Sequence, residues 1–341
     1  MVDVALGILD LVAKCTGENF DVRIGGKIGL PAQTESGRPL TPEVVDFCQS
    51  IFEEHGALFC GPGGGRFVYD LRARFDLYCK FTPIRPLPAL RNAGVLKPEA
   101  VSKVDVVVVR ENTGGLYYGD GSIAGDSEKS ARHSFAYTES QVHRILEAAI
   151  RLAQMRRGRL SVILKPSGIP SISKLWQGKL DELAAHAAIQ PEVLEVDNAV
   201  YQLIANASRF DVVVAPNAFG DILSDGASLL LGSRGMSYSG NFGAAGCAVY
   251  QTGHGAAHDL AGTNRANPIG QILSLAMMLR ESFGLQEAAE AIEAAIEETL
   301  RAGWRTADIA EAGSRVVGTK EMGALIGRQL EVALESRTTR T

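Results

Sequence analysis

The sequence is poor in cysteine, and the cysteines that it has are not grouped. Its 341 residues include five cysteines, an odd number, and no two of them form a C-x-x-C pair. A disulfide framework or a thiolate zinc site needs cysteines in sets at short spacings, so neither is expected. We expect reduced, mostly structural thiols at positions 15, 48, 60, 79 and 247.

Long hydrophobic runs and an excess of one charge are also missing. No apolar stretch approaches the roughly 18 residues that span a bilayer, and the first residues lack a basic leader, so we expect a cytoplasmic protein without a membrane partner. The 34 basic and 39 acidic residues give a formal net charge of −5. A net negative charge produces no overall electrostatic attraction for a polyanion, which argues against a dedicated nucleic-acid binder.

What is present is an alternation of strand and helix patterns, which predicts an α/β fold with a mainly parallel sheet and helices on both faces. The predicted strands are Phe20–Ile24, Ala57–Cys60, Leu77–Phe81, Val104–Arg110, Leu160–Lys165, Val193–Val196 and Asp211–Ala215. The predicted helices are Val4–Ala13, Thr41–Phe52, Ser140–Gln154, Ile172–Ala187, Tyr201–Ala205, Pro268–Phe283, Gln286–Ala302 and Ser314–Leu334.

A glycine-rich loop, Gly61–Gly65, follows the second predicted strand. It does not have the G-x-G-x-x-G order of the standard Rossmann fingerprint, and it lacks the Lys-Ser/Thr of a P-loop. A phosphate-binding loop and a tight turn with close backbone packing therefore stay equally open.

An acidic pair, Asp221 and Asp225, follows the predicted strand Asp211–Ala215. Four residues apart, the two carboxylates share one face if the segment is helical, and like charges there repel unless a cation lies between them. Hard oxygen ligands at the end of a strand suit Mg²⁺ or Mn²⁺. A capping role or a surface pair is the alternative.

Two further segments carry candidate functional residues. Arg110–Gly119 follows an apolar strand, so Arg110 could hold a carboxylate and a tyrosine could donate a proton, although two adjacent tyrosines are more often core residues. In His254–Pro268, Asp259 could accept the hydroxyls of an adenosine ribose. His254 and His258 are four residues apart, but no third ligand supports a zinc site.

Together these blocks resemble the isocitrate/isopropylmalate dehydrogenase family of metal-dependent, β-decarboxylating dehydrogenases. The resemblance rests on Arg110–Tyr117, Asn217–Asp225 and His254–Pro268, in the family's order, and it covers nearly the whole chain. It implies an isopropylmalate dehydrogenase-like two-lobe fold without the Rossmann fingerprint. Residues 1–79 and 231–341 would form a large lobe with nucleotide-binding elements. Residues 80–230 would form a small lobe with a dimerisation arm, near residues 119–137, and the metal and catalytic residues.

The resemblance also implies a role for each matching residue. Tyr117 and Lys165 match the catalytic tyrosine and lysine, the lysine acting in the neighbouring subunit's site. Asp221 and Asp225 match the metal ligands, with Asp197 contributed by the neighbour, so the family implies NAD, Mg²⁺ or Mn²⁺, and a homodimer with shared active sites. Arg72 and Arg110 match substrate-binding arginines. The nucleotide-binding positions are His254, Gly255, Asp259 and Asn267.

Several departures bear on the substrate. The family's opening strand and Gly-Asp-Gly loop are not found, which suggests either a truncated sequence or a lost strand. Thr82 stands where the family has a substrate arginine, and Lys80 or Arg85 could compensate. Arg66 and Tyr69 occupy the position that distinguishes isocitrate from isopropylmalate enzymes, and they would suit a larger or more anionic substituent, such as a phosphonate. Lys-Pro-Ser replaces the family's Lys-x-Asn at Lys165.

The function that we expect is NAD-dependent oxidative decarboxylation of a substituted D-malate. One alternative is a noncatalytic or regulatory homologue of an isocitrate dehydrogenase, which the lost arginine and opening loop favour. Retention of three aspartates, Lys165 and Tyr117 favours catalysis, because an idle site has no need to hold repelling carboxylates together. A tartrate- or malate-type dehydrogenase without decarboxylation is the other alternative.

Overall fold

The computed structural model describes residues 1–338, and an eight-stranded sheet runs through them in the strand order β1-β10-β9-β2-β3-β8-β6-β7. Four of the seven pairings are parallel, and three in the middle of the sheet are antiparallel. Its strands are β1 (Leu58–Cys60), β2 (Cys79–Ile84), β3 (Val106–Glu111), β6 (Leu160–Leu164), β7 (Glu192–Glu195), β8 (Val212–Ala215), β9 (Tyr238–Phe242) and β10 (Ala248–Thr252).

Helices cover both faces of this sheet. Along β3 the side chains of Val106 and Val108 enter one hydrophobic cluster and those of Val107 and Val109 another, because successive strand residues point to opposite faces. The predicted α/β fold is thus confirmed. The helices are α1 (Val2–Thr16), α2 (Leu30–Ser36), α3 (Pro42–Glu53), α4 (Phe67–Arg74), α5 (Pro98–Val101), α6 (Glu139–Met155), α7 (Pro170–Ala184), α8 (Val196–Ala205), α9 (Asn217–Ala227), α10 (Ile269–Glu281), α11 (Gln286–Arg301) and α12 (Thr319–Thr338).

Local signals explain where several helices begin and end. The hydroxyl of Thr41 accepts a hydrogen bond from the Val44 amide at the start of α3, and Pro42 occupies the first turn. A reciprocal capping box of Thr138 and Gln141 begins α6. Helix α1 ends at Gly17, whose φ of 77° is left-handed.

One predicted strand is wrong. Phe20–Ile24 has no regular secondary structure, and its apolar residues Val22 and Ile24 are 48% and 77% exposed. The segment is held instead by ion pairs from Arg23 to Asp21 and Glu54. Alternation of apolar and polar residues forms a strand only where a partner strand and a buried face are available.

Two other pairs of strands lie outside the main sheet. A parallel pair, β11 (Trp304–Arg305) and β12 (Arg315–Val316), packs beside α11. An antiparallel hairpin, β4 (Asp120–Ala124) and β5 (Ser130–Ser134), is exposed at all its residues. It falls in the predicted dimerisation arm.

The β2–β9 pairing joins two groups of strands. Strands β1, β9 and β10 come from residues 1–79 and 231–341, whereas β3, β6, β7 and β8 come from residues 80–230. The division of the chain into two lobes at these boundaries stays a prediction. None of the helices within residues 1–338 combines the length and apolar character needed to cross a bilayer.

Candidate active site

The candidate active site lies where β3 and β8, two parallel neighbours, both end. β3 ends in Arg110 and Glu111 and leads into a 3₁₀ turn, Gly115–Tyr118, while β8 leads directly into α9. Carboxyl ends of parallel strands meet at one edge of a sheet, which is where open α/β sheets bind ligands. The predicted carboxylate-binding and acidic segments therefore do come together.

Arg110 is the centre of this arrangement, and it is 2% exposed. Its Nε and Nη2 atoms donate to Asn217 Oδ1 at 3.0 and 2.7 Å, and its Nη1 atom donates to Asp221 Oδ1. Gly220 makes this close approach possible, because a Cβ there would lie 2.8 Å from Arg110 Cβ. The first turn of α9 is thereby fixed against the end of β3.

Tyr117 reaches the same carboxylate. Its hydroxyl donates to Asp221 Oδ2 at 3.0 Å, and the Arg110 guanidinium lies over its ring at 5.5 Å. Partial burial, together with the neighbouring Asp221 charge and hydrogen bond, raises the pKa of Tyr117 to about 12. Tyr117 is therefore a neutral phenol at physiological pH and carries a proton that it can donate.

The turn that presents Tyr117 is built by a fully buried carboxylate that the motif analysis did not single out. Glu111 accepts hydrogen bonds from the Thr113 and Gly114 amides at 2.9 and 3.0 Å, and burial raises its pKa above the ordinary value. Gly115 adopts a φ of 69°, and a Cβ there would lie 2.2 Å from the Tyr137 hydroxyl. That hydroxyl in turn accepts from the Asn217 amide at 2.8 Å.

Two more cations are buried beside Arg110. Arg72 on α4 is 4% exposed, and its Nε atom has no hydrogen-bond partner within residues 1–338. Lys80 on β2 is 5% exposed. Burial, followed by the charges of Arg72 and Arg110, lowers the pKa of Lys80 to about 7, and burial with the Arg110 charge lowers that of Arg72 to about 10. A cluster of buried cations like this one favours binding of an anion.

Tyr69 lines the site between the arginines. Its ring packs edge-on against Tyr117 at 5.8 Å, with the guanidinium carbons of Arg72 and Arg66 at 5.7 and 5.3 Å from its centre. Arg66 itself is exposed. The structure thus brings Tyr69 and Arg72 to Tyr117, with Arg66 at the solvent side.

Arg85 is not brought to this site. β2 runs antiparallel to β3, so Lys80 pairs with Arg110 and Ile84 with Val106 at the opposite end of the sheet. Arg85 follows Ile84, which puts it about 16 Å from Lys80 at roughly 3.3 Å per strand residue. It is also exposed.

Lys165 lies in a separate group at the ends of β6 and β7. Its Nζ atom donates to Glu195 Oε2 at 2.5 Å and to Asp197 Oδ1 at 2.7 Å, and the Ser167 hydroxyl donates to Glu195 at 3.0 Å. Hydrogen bonds to Asp197 and Glu195 raise the pKa of Lys165 above its ordinary value, so Lys165 is protonated in this arrangement. The sequence analysis missed Glu195, although it ends a strand two residues before Asp197.

The three predicted metal ligands, Asp197, Asp221 and Asp225, do not form a single cluster within one protomer. Asp221 and Asp225 are on α9 with side chains 34% and 49% exposed, and Asp225 also pairs with Arg234 at 2.8 Å. No group of three or more acidic, histidine or cysteine side chains suited to a metal occurs among the described residues. The donors present still fit Mg²⁺ or Mn²⁺, because partly exposed carboxylate oxygens keep free lone pairs and a third carboxylate can come from a second chain.

The predicted nucleotide-binding residues lie in and around the segment after β10. Asp259 and Gly255 are exposed, the Nδ1 atom of His254 hydrogen-bonds the Gly255 carbonyl at 2.9 Å, and burial lowers the pKa of His254. Asn267 is buried, donates to Asp308 Oδ2 at 3.1 Å and accepts from the Ile269 amide at the start of α10. The sequence analysis gave no role to Asp308.

The glycine-rich loop after β1 packs closely against the backbone of a neighbouring segment. Leu30 donates its amide to the Gly63 carbonyl at 3.0 Å, and a Cβ on Gly29 would lie 1.9 Å from that oxygen. Gly64, whose φ is 72°, faces the imidazole of His258. The loop therefore makes the predicted tight backbone contact and adjoins the candidate nucleotide segment.

Several known proteins are similar to this chain over nearly its whole length. A profile of the isocitrate/isopropylmalate dehydrogenase family matches residues 1–326. The 3-isopropylmalate dehydrogenase of Oleidesulfovibrio alaskensis is 38% identical, covering 95% of this chain and 94% of the relative. That of Geobacillus kaustophilus is 39% identical over 93% of this chain and 88% of the relative. Isocitrate dehydrogenase from Methylococcus capsulatus superposes with a TM-score of 0.85 at 30% identity, covering 96% of each chain.

The chain belongs to the isocitrate/isopropylmalate dehydrogenase family. It is therefore a member of a family of decarboxylating dehydrogenases that act on hydroxy acids, and the resemblance on which the sequence analysis relied is confirmed.

Proposed function

We propose that this protein oxidatively decarboxylates a substituted D-malate, using NAD and a Mg²⁺ or Mn²⁺ ion in a homodimer with shared active sites. The observation that carries the proposal is the convergence of Arg72, Arg110 and Tyr117 beside Asp221 at the ends of two parallel strands. It combines a cationic site for a carboxylate, a neutral proton donor and a candidate metal ligand.

Each of these residues has a chemical task in the proposed reaction. Arg72 and Arg110 bind the carboxylate that leaves as CO₂, which is on the carbon next to the hydroxyl-bearing one, and the Tyr69 ring packs against the Arg72 guanidinium. Lys165 of the second protomer would accept the hydroxyl proton as C2 is oxidised to a ketone. It can do so only as the neutral amine, so its ion pairs with Asp197 and Glu195 would have to be broken in the shared site, Asp197 turning to the cation. After CO₂ leaves, Tyr117, which is a neutral phenol at neutral pH, donates its proton to the enol carbon.

The divalent cation and NAD would be bound by two different sets of residues. Asp221 and Asp225, with Asp197 of the second protomer, would hold the cation, and His254, Gly255, Asp259 and Asn267 would bind NAD. A divalent cation supplies Lewis-acid polarisation of the substrate oxygens, and the nicotinamide supplies a hydride acceptor. Asp259, exposed and acidic, would accept ribose hydroxyls and disfavour a 2′-phosphate.

Exposed apolar surface supports the homodimer. Tyr201 on α8, Ile222 on α9 and Leu229 just after α9 are 68%, 57% and 42% exposed. The hairpin β4–β5 also projects without burying any of its residues. Large exposed apolar residues indicate a protein interface, and the proposed homodimer requires that interface to bring Lys165 and Asp197 to the neighbour's site.

The proposed function is tested by incubating the protein with NAD⁺, Mn²⁺ and a panel of D-malates that carry alkyl, carboxyalkyl or phosphono substituents. We expect NADH and CO₂ in equal amounts for at least one substrate. NADH without CO₂ would indicate simple dehydrogenation, and no NADH from any member of the panel would favour a noncatalytic homologue. Manganese binding that is lost in Asp221→Asn would separate an inactive enzyme from a metal-free regulator.

A further inference from the structure

The buried lysine on β2 has a fixed position relative to the arginine on β3. Lys80 pairs directly with Arg110 in the antiparallel register, so the two side chains leave the sheet on the same face. Thr82, two residues further along β2, is on that face too, and pairs with Val108, deeper in the sheet. The strand therefore aims the Lys80 ammonium group into the same site as the Arg110 guanidinium.

This site holds more buried positive charge than its own carboxylates balance. Asp221 is ion-paired with Arg110, and the Nε atom of Arg72 is buried without a partner within residues 1–338. Around Lys80, burial and the charges of Arg72 and Arg110 outweigh the opposing charges of Asp221 and Asp225. Buried cations are tolerated when an anion completes the site, and a bound carboxylate does so.

The geometry points to Lys80 as a substrate-binding residue: we infer that its ammonium group binds the carboxylate that leaves as CO₂, together with Arg72 and Arg110. This inference rests on the proposed function. Lys80 would fill the place of the arginine that the family resemblance implies at position 82, where this chain has a short, buried threonine. Arg85 cannot do so, because it lies at the other end of β2.

The test compares two ligands that differ in one carboxylate. D-malate carries a second carboxylate on the carbon next to the hydroxyl-bearing one, and in D-lactate that carbon is a methyl group without a carboxylate. Binding of each is measured by calorimetry in the presence of Mn²⁺, for the wild type, Lys80→Met and Arg85→Met. Lys174→Met serves as a control, because Lys174 is an exposed lysine on α7.

We expect Lys80→Met to weaken D-malate binding by about 10- to 100-fold, the usual effect of losing a charge-assisted hydrogen bond, and to leave D-lactate binding unchanged. Lys174→Met should change neither. The inference is wrong if Lys80→Met binds D-malate as the wild type does, if it weakens both ligands equally, if Arg85→Met produces the loss instead, or if the wild type does not bind D-malate.

The binding measurement keeps this inference separate from the proposed function. A wild type that binds D-malate through Lys80 but forms no NADH from any substrate would refute the proposed oxidation and support the role of Lys80. If the wild type forms NADH and CO₂ and Lys80→Met binds and turns over substrate normally, the proposed oxidation is supported and the role of Lys80 is refuted.

Discussion

Replacement of Lys80 by methionine should make the protein more stable, by an amount that depends on pH. The pKa of Lys80 falls from 10.5 to about 7 in the folded protein, a difference of about 3.5 units at 1.36 kcal/mol each. Below pH 7 the charged lysine therefore costs the wild type about 5 kcal/mol of unfolding free energy, and methionine fills the same volume without that cost.

The sign of the pH dependence follows from proton uptake. Between pH 7 and 10.5 the unfolded chain binds a proton at Lys80 that the folded chain has lost, so the wild type gains stability as the pH rises through this window. We expect the advantage of Lys80→Met to be largest at pH 6 to 7 and to shrink below about 1 kcal/mol by pH 10.5.

Urea unfolding of both proteins at pH 6.5, 8, 9 and 10 measures this difference, with Lys174→Met as an exposed-lysine control that should follow the wild type. A Lys80→Met protein that is no more stable than the wild type at pH 6.5 would refute the reasoning. So would a stability advantage that stays constant across the pH range, because it would arise from packing rather than from a buried charge.

Three further substitutions test other parts of the site. Gly220→Ala should lower the unfolding free energy by about 1–3 kcal/mol, because its Cβ would lie 2.8 Å from Arg110 Cβ; urea unfolding measures the loss. Tyr117→Phe should lower kcat about 100-fold by removing the proton donor, while Mn²⁺ binding at Asp221 persists; steady-state kinetics and metal titration measure the two. Asp259→Ser should weaken NADH binding about tenfold and reduce the preference over NADPH, measured by fluorescence titration.

Each of these has its own control or contradicting result. Gly226→Ala, on the same helix with open space around its Cβ position, should not be destabilised, and equal losses at both glycines would point to helix propensity alone. Unchanged kcat in Tyr117→Phe would remove the tyrosine from the proton transfer. Unchanged nucleotide preference in Asp259→Ser would move the ribose site elsewhere.

The regular elements with strong local signals could be predicted from the sequence. Strand β3 begins with four consecutive valines, and α3 begins at a threonine cap followed by proline, so each is specified within its own segment. The hairpin β4–β5 and the central strand β9 could not be found in this way. The β9 sequence Tyr-Ser-Gly-Asn-Phe is typical of a turn, and it forms a strand because β2 and β10 pair with it on both sides.

The same contrast between local signals and long-range pairing applies to the candidate active site. Arg110, Tyr117 and Asp221 came from contiguous motifs, and parallel strand ends bring them together. Lys80 and Arg85 are two and three residues from Thr82 in the sequence, and the antiparallel pairing of the extended strand β2 with β3 puts them at opposite ends of the sheet. Glu195 was missed because its role depends on the pairing of Leu164 with Glu195, which places it beside Lys165.

A strand, rather than a loop, carries Lys80. Strand β2 is hydrogen-bonded on both edges, to β3 and β9, so the position of Lys80 is fixed within one protomer. Selectivity for an acid with two carboxylates would therefore not depend on the movement of a loop. Changes of substrate specificity should therefore begin at positions 80 and 82. A single substitution there alters the charge of the site without changing the backbone of β2, unlike changes in the surrounding loops.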